Sequence, residues 1–430
     1  MRRTMMERLA EWKARPNRMP LLLFGARQVG KTWLLEEFGK TYFEDTFYIN
    51  FEVDAALSQD FEGSLEPGRL INLLETYFGR RIVPGTTLII FDEVQACGRA
   101  LTSLKYFRER APQYNIIAAG STLGVSVKST PLSFPVGNIE LLTLHPLDFE
   151  EYLEALGENL LAAAIRESFG KNSPLPDSLH LKAMDAYRSY LVVGGMPGVI
   201  NAYLRERKMI AAAQVQQNIL SAYIADMTKY ASPAETAKIM ACFDSIPAQL
   251  AKENRKFQYK VVRKGGSATM FGASIDWLGA AGIVTKCDRI EGGFIPPAAY
   301  RDLSAFKIYM GDVGLLTAKS GIPAHMLLSE HAGVTFSGAV AENYVAQSLQ
   351  SKGYPLFYWE SGGKAEVDFI VPQGETLVPI EVKSGDHTRS RSLSVYRERF
   401  KPELSIRLST KRFGFEDGIK SVPLYATFCI

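Results

Sequence analysis

The stretch Phe24-Gly25-Ala26-Arg27-Gln28-Val29-Gly30-Lys31-Thr32-Trp33-Leu34-Leu35 constrains this chain more than any other. Two glycines separated by four residues, then a lysine and a threonine, make a phosphate-binding loop signature. The flanks agree with it. Leu21-Leu22-Leu23-Phe24 reads as a short buried strand, and Trp33-Leu34-Leu35-Glu36-Glu37-Phe38 reads as a helix. Strand, glycine loop and helix together aim backbone N–H groups and a helix N-terminus at one phosphate chain. Gly25 and Gly30 permit the turn and the close backbone approach. The candidate ATP-binding residues are Gly25, Ala26, Arg27, Gln28, Val29, Gly30, Lys31 and Thr32. Lys31 would neutralise the β- and γ-phosphates, and the Thr32 hydroxyl would bind Mg2+.

A second informative stretch is Leu88-Ile89-Ile90-Phe91-Asp92-Glu93. Four apolar residues run straight into two acids, as a central parallel strand does at its carboxyl edge, where open α/β sheets bind ligands. Asp92 would hold Mg2+, and Glu93 would act as general base on the attacking water. Ile116-Ile117-Ala118-Ala119 reads as a further buried strand ending in Gly120-Ser121. Ser121 is either a sensor of the γ-phosphate or a helix cap. Phe47–Phe51 and Ile139–Leu144 read as two more strands, and a helix starts at Pro146 or Asp148. Residues 2–15 read as an amphipathic helix with Met5, Met6, Leu9 and Trp12 facing a core.

Composition sets outer bounds. At 430 residues the chain is long enough for about three domains. A hydrophobic share of 47% and a charged share of 22% are ordinary for a globular protein. A net charge of +3 argues for no class of partner. The 4 cysteines are scattered without a C-x-x-C pair, which indicates neither a zinc site nor a disulfide framework. The start has no apolar run of a signal peptide, and no stretch approaches the ~18 apolar residues of a membrane span. The expectation is a reduced, cytoplasmic protein with no membrane partner.

Residues 25–32, Phe91-Asp92-Glu93-Val94-Gln95, Gly120-Ser121 and Leu144-His145-Pro146-Leu147-Asp148-Phe149-Glu150-Glu151-Tyr152-Leu153 resemble the AAA-type P-loop ATPases of bacteria and archaea. More narrowly, they resemble the family that joins such an ATPase to a C-terminal domain of unknown function, and the resemblance covers nearly the whole chain. It implies an α/β fold: a P-loop parallel sheet with a helical lid, then a winged helix-turn-helix, then a small α/β domain of restriction-endonuclease-like type. The expected boundaries are 1–155, 156–232, 233–325 and 326–430. Many members place an arginine just before the last sheet strand, where it acts across a subunit interface of a homo-oligomer. Here that region is Phe134-Pro135-Val136-Gly137-Asn138, with no arginine; Arg108 and Arg110 are substitutes or simply solvated surface residues.

From about 155 to 230 the chain reads as helical. Gly194-Gly195-Met196-Pro197 is similar to a Gly-x-Pro motif that related ATPases place against the adenine, which makes Pro197 a cofactor-binding candidate; a plain helix break explains it as well. Residues 233–300 look like a winged helix, with helices at Ala234–Leu250 and Ala268–Ala281 and an inner face of Met270, Phe271, Ile275 and Leu278. Lys252, Arg255, Lys256, Lys260, Arg263 and Lys264 make a basic patch suited to DNA, although such modules also bind proteins.

In the C-terminal 100 residues, Gly338–Val345 starts a helix, and Glu366–Val371 and Leu377–Lys383 read as a hairpin turned at Pro372-Gln373-Gly374-Glu375. Asp368 and Glu381-x-Lys383 lie where a hairpin brings them together. The set resembles the nuclease centre of the restriction-endonuclease-like fold, with Glu342 as the helix-borne acid and Val367 in place of the usual proline. It implies a second divalent cation, Mg2+ or Mn2+, held by Glu342, Asp368 and Glu381, with Lys383 beside it. Between Lys383 and Arg412 nine basic residues face three acids, a nucleic-acid surface or a solvated helix. Two functions follow: an ATPase that drives or gates action on DNA, or a nucleotide-switched regulator of a protein partner.

Overall fold

Apolar runs in the first 145 residues become parallel strands. The computed structural model describes residues 1–121, 137–252, 255–328, 336–363, 365–385 and 391–430, and everything below concerns these. The strands are β1 (Leu21–Phe24), β2 (Asp45–Asn50), β3 (Thr87–Asp92), β4 (Asn115–Gly120) and β5 (Glu140–Thr143). They pair in the order β2-β3-β4-β1-β5, every pair parallel. Every residue of β3 and β4 is buried, as in a parallel sheet covered on both faces. The rings of Phe51, Phe61 and Phe91 meet edge to face at 5.2–5.6 Å beside Leu22, Phe47 and Ile89 in the core. The N-terminal helix Met5–Ala14 buries Met5, Leu9 and Trp12, and the Trp12 Nε1–H donates to the Met19 carbonyl at 2.8 Å. This sheet and its helices form one compact unit, Arg2–His145 with Ala280–Gly282.

Met1, Pro146–Gly279 and Ile283–Ile430 form the other. Its first helix runs from Phe149 to Ala155, and Asp148 rather than Pro146 is the cap. Asp148 Oδ1 accepts from the Glu151 N–H at 2.9 Å, while Glu151 Oε2 accepts from the Asp148 N–H at 3.2 Å. Helices Asn159–Lys171, Asp177–Val193, Pro197–Glu206 and Met209–Tyr230 follow. Next come helices Pro233–Leu250, Tyr259–Val262 and Ala268–Ala280 and the antiparallel pair β6 (Val284–Ile290) and β7 (Arg301–Met310). In the third of these helices Phe271, Ser274, Ile275 and Leu278 are buried, whereas Met270 is 41% exposed. The expected inner face was one residue too wide, because positions 271, 275 and 278 complete the helical stripe without it.

The remaining strands are β8 (Phe357–Glu360), β9 (Glu366–Gln373), β10 (Thr376–Val382), β11 (Ser405–Ser409), β12 (Gly414–Glu416) and β13 (Ile419–Pro423). They continue β6 and β7 into one mixed sheet, β12-β13-β11-β10-β9-β8-β6-β7, through the parallel pairing of β6 with β8. The β9–β10 turn is shorter than expected: Pro372 and Gln373 stay in β9, and Gly374 turns the chain at φ +58°.

Candidate functional site

At the carboxyl end of β1, backbone geometry explains both glycines. A Cβ on Gly25 would stand 2.5 Å from the Leu144 carbonyl oxygen. Gly30 caps the helix Lys31–Tyr42 at φ +94°, a left-handed conformation that side chains disfavour. Between them Gln28 is held at φ +65°, Ala26 and Val29 are buried, and Arg27 is half-buried. The Lys31 ammonium donates to the Gly25 carbonyl at 2.8 Å and the Ala26 carbonyl at 3.0 Å. It is thus folded over its own loop.

Parallel strands bring all their carboxyl ends to one edge, and β3 ends there in Asp92. This carboxylate, 1% exposed, organises its surroundings. Its Oδ2 accepts from the Thr32 hydroxyl at 2.7 Å and from the Tyr48 hydroxyl at 2.8 Å, and its Oδ1 accepts from the Glu93 N–H at 2.9 Å. Burial first, and the Asp92 charge second, push the Tyr48 phenol well above its usual range. Glu93 follows with φ +49°, strained for a residue with a side chain. Its Oε2 accepts from Ser121 at the end of β4 at 3.4 Å and also from the Gln95 amide. Lys31, Thr32, Asp92, Glu93 and Ser121 therefore share one sheet edge.

Tyr48 and Arg3 carry no motif here, and His145 lies in the stretch 144–153 without a role assigned by it. Tyr48 holds Asp92 from β2. Arg3, buried ahead of the first helix, donates to the Val29 carbonyl at 3.0 Å and the His145 carbonyl at 2.6 Å, tying the glycine loop to the chain after β5. His145 is held neutral, its pKa pushed down to about 4 by burial and then by the Arg3 charge. The doublet Arg2-Arg3 is the only sequence trace of this clamp. The oxygens of Thr32 and Asp92 are the donor type that Mg2+ takes, and they already meet at 2.7 Å, so this pair fits that ion.

Pro197 belongs to the other unit. It opens the helix Pro197–Glu206, while Gly194 ends the preceding helix at φ +73°. A Cβ on Gly194 would stand 2.3 Å from Asp312 Oδ1, and the Gly195 N–H donates to Asp312 Oδ2 at 2.6 Å. Asp312, fully buried, has its carboxyl pushed up to about 6 by that burial. Phe134, Pro135 and Val136 lie outside the described residues. Arg110 pairs with Glu66 at 2.5 Å at the surface.

Among the C-terminal candidates, Glu342 and Asp368 do not face open space. The fully buried Lys307 ammonium of β7 lies 3.0 Å from Glu342 Oε1, 2.6 Å from Glu366 Oε1 and 4.0 Å from Asp368 Oδ1. Arg255 pairs with Glu342, and the Tyr309 hydroxyl donates to it. Asp368 Oδ2 accepts from the Val382 N–H at 2.8 Å, and Glu381 pairs with Lys383 at 2.6 Å. Lys307 thus links Glu342 to Asp368, Asp368 meets the β10 backbone at Val382 between Glu381 and Lys383, and a lysine stands among the acids. This donor set does not fit a second divalent cation, because an ammonium already holds the place between the carboxylates. The basic patch is also smaller than expected. Lys252 donates to Gln258 at 3.0 Å, Arg255 is committed to Glu342, and Lys256 pairs with Glu360 at 2.5 Å, which leaves Lys260, Arg263 and Lys264 exposed.

Residues 17–153 match the family model of an AAA domain. Residues 184–325 match a domain of unknown function (DUF8612), and residues 337–427 match another (DUF4143). No curated protein matches the chain. Among solved structures, the Walker-type ATPase of Pyrococcus abyssi is similar at 16% identity over 73% of this chain and 94% of its own, with a TM-score of 0.44. The Aeropyrum pernix ORC2 protein, solved as ADPNP–ADP complexes, is similar at 14% identity over 79% of this chain and 94% of its own, with a TM-score of 0.39. At such scores the likeness is loose, and no residue role is transferred from these proteins.

Proposed function

From a chain that joins an AAA-type P-loop ATPase domain to a C-terminal domain of unknown function, we infer Mg2+-dependent ATP binding and hydrolysis at the edge formed by residues 25–32, Asp92 and Glu93. The observation that carries this reading is the Thr32–Asp92 contact at 2.7 Å, with Glu93 and Ser121 beside it. The backbone N–H groups of residues 25–32 and the N-terminus of the helix after them bind the triphosphate. Lys31 leaves the Gly25 and Ala26 carbonyls to pair with the β- and γ-phosphates. Thr32 and Asp92 would hold Mg2+, which would offset phosphate charge there. Glu93, oriented by Ser121 and Gln95, takes the proton of the attacking water. The divisions at 155, 232 and 325 and a cytoplasmic, homo-oligomeric state belong to the same proposal.

The nucleotide cycle gates what the remaining chain binds. Three helices followed by the β6–β7 pair support a winged helix-turn-helix, and exposed Lys260, Arg263 and Lys264 support DNA as its target. A second reading, a nucleotide-switched regulator of a protein partner with an inert nuclease-like domain, is favoured by Lys307 among the C-terminal acids. ATP turnover with and without single-stranded, duplex and forked DNA tests the choice. Stimulation by one DNA form supports DNA gating. Unchanged turnover together with one dominant protein partner supports the regulator.

A further inference from the structure

Three carboxylates from two elements converge on one buried ammonium. Glu342 comes from the helix Ser337–Ser351, Glu366 and Asp368 from β9, and Lys307 from β7. Lys307 and Glu342 are both 0% exposed. The ammonium lies 3.0 Å from Glu342, 2.6 Å from Glu366 and 4.0 Å from Asp368, and 5.0 Å from the centre of the Tyr358 ring. A compact ammonium with three N–H donors meets such a ring of oxygens as a small cation does.

We propose that Lys307 is a built-in cation: it occupies the position a divalent ion would take among Glu342, Glu366 and Asp368, so the C-terminal domain binds no metal there and cuts no phosphodiester. This deepens the second reading above and rests on it for the domain's kinship, but not on the ATP site. An ion entering the cluster would either meet the Lys307 charge at contact distance or displace a fully buried lysine. The other groups of the expected centre are also engaged. Arg255 neutralises Glu342, the Val382 N–H takes one Asp368 oxygen, and Lys383 is paired with Glu381. The cluster's work is mechanical. It fastens β7 and the Arg255 segment to β9 and the helix Ser337–Ser351. Residues 184–325 and 337–427, two separate family matches, thereby share one charge network and one sheet.

Mn2+ is the probe, titrated by electron paramagnetic resonance into the nucleotide-free full-length chain. Wild type and Asp368→Asn are expected to bind the same number of ions, and neither is expected to nick supercoiled plasmid. Lys307→Ala is expected to gain one further Mn2+, with a higher unfolding temperature when the ion is present, and the Lys307→Ala, Asp368→Asn double variant is expected to lose that gain. An ion bound by wild type but not by Asp368→Asn, or plasmid nicking lost in Asp368→Asn, overturns the proposal. So does a folded Lys307→Ala chain that gains no ion. If Lys307→Ala does not fold, the comparison of wild type with Asp368→Asn decides alone. Failure of the ATP assignment would show separately, as absent ATP binding in wild type.

Discussion

Lys31, Thr32, Asp92 and Glu93 stand in motifs whose chemistry is written in consecutive residues, so a reader of the sequence finds them. Their supports are not written that way. Tyr48 sits in Phe47-Tyr48-Ile49 like any strand tyrosine, and Arg3 precedes an ordinary amphipathic helix. Only folding brings their donors to Asp92 and the Val29 carbonyl. Glu93→Gln should leave ATP binding intact and slow hydrolysis ~10²–10⁴-fold, the usual worth of a general base. A filter-binding assay beside a phosphate-release assay reads both, and unchanged release would remove Glu93 from that role. Lys307 was hidden for the same reason as Tyr48: in Phe306-Lys307-Ile308 nothing distinguishes a buried lysine from one facing water. His145 makes a pH prediction. Its folded pKa of about 4 lies below the usual 6.5. The unfolded chain therefore binds the extra proton across that window, and stability falls as pH drops from about 6.5 toward 4. The loss is on the order of 3 kcal/mol. Urea midpoints at several pH values should show this slope in wild type and a shallower one in His145→Gln; equal slopes would contradict it.

At the scale of elements, the parallel strands were legible because β3 and β4 carry the apolar runs Leu88–Phe91 and Ile116–Ala119, the pattern of strands covered on both faces. Their order was not, since pairing depends on where the connecting helices pack. The cap at Asp148 shows a similar limit. Pro146 and Asp148 both signal a helix start, and the Glu151 reciprocal contact decides between them. Asp148→Ala should destabilise the unit containing it by about 1 kcal/mol, more if the Lys352 ammonium at 3.5 Å is also left unpaired. Chemical denaturation would detect the change, and an unaltered midpoint would deny the cap its weight. The β6–β7 pair follows the three helices of residues 233–280. The pairing of β6 with β8 was not legible, because a strand's outer edge leaves no mark on its own alternation.

Across the whole molecule, the two units carry different parts of the account. The unit Arg2–His145 contains the glycine loop of residues 25–32, the acid-ended strand and their supports. The other holds a mixed sheet whose acids are matched by internal cations. None of its helices, nor any other helix among the described residues, is long and apolar enough to cross a membrane. A DNA-gated ATPase requires that DNA change turnover, and mutating Lys260, Arg263 and Lys264 together to alanine should reduce any stimulation and flatten its salt dependence. Stimulation unaffected by that triple change would move the contact elsewhere. The central claim is narrower than either function: a Mg2+-bound triphosphate sits in the loop of residues 25–32. Calorimetric titration of Mg2+-ATP into wild type and Lys31→Ala tests it most directly. One site is expected in wild type, with affinity weaker by ~10–100-fold in the variant, the worth of a charge-assisted contact. Equal affinity in the two proteins, or no binding to wild type, would contradict it.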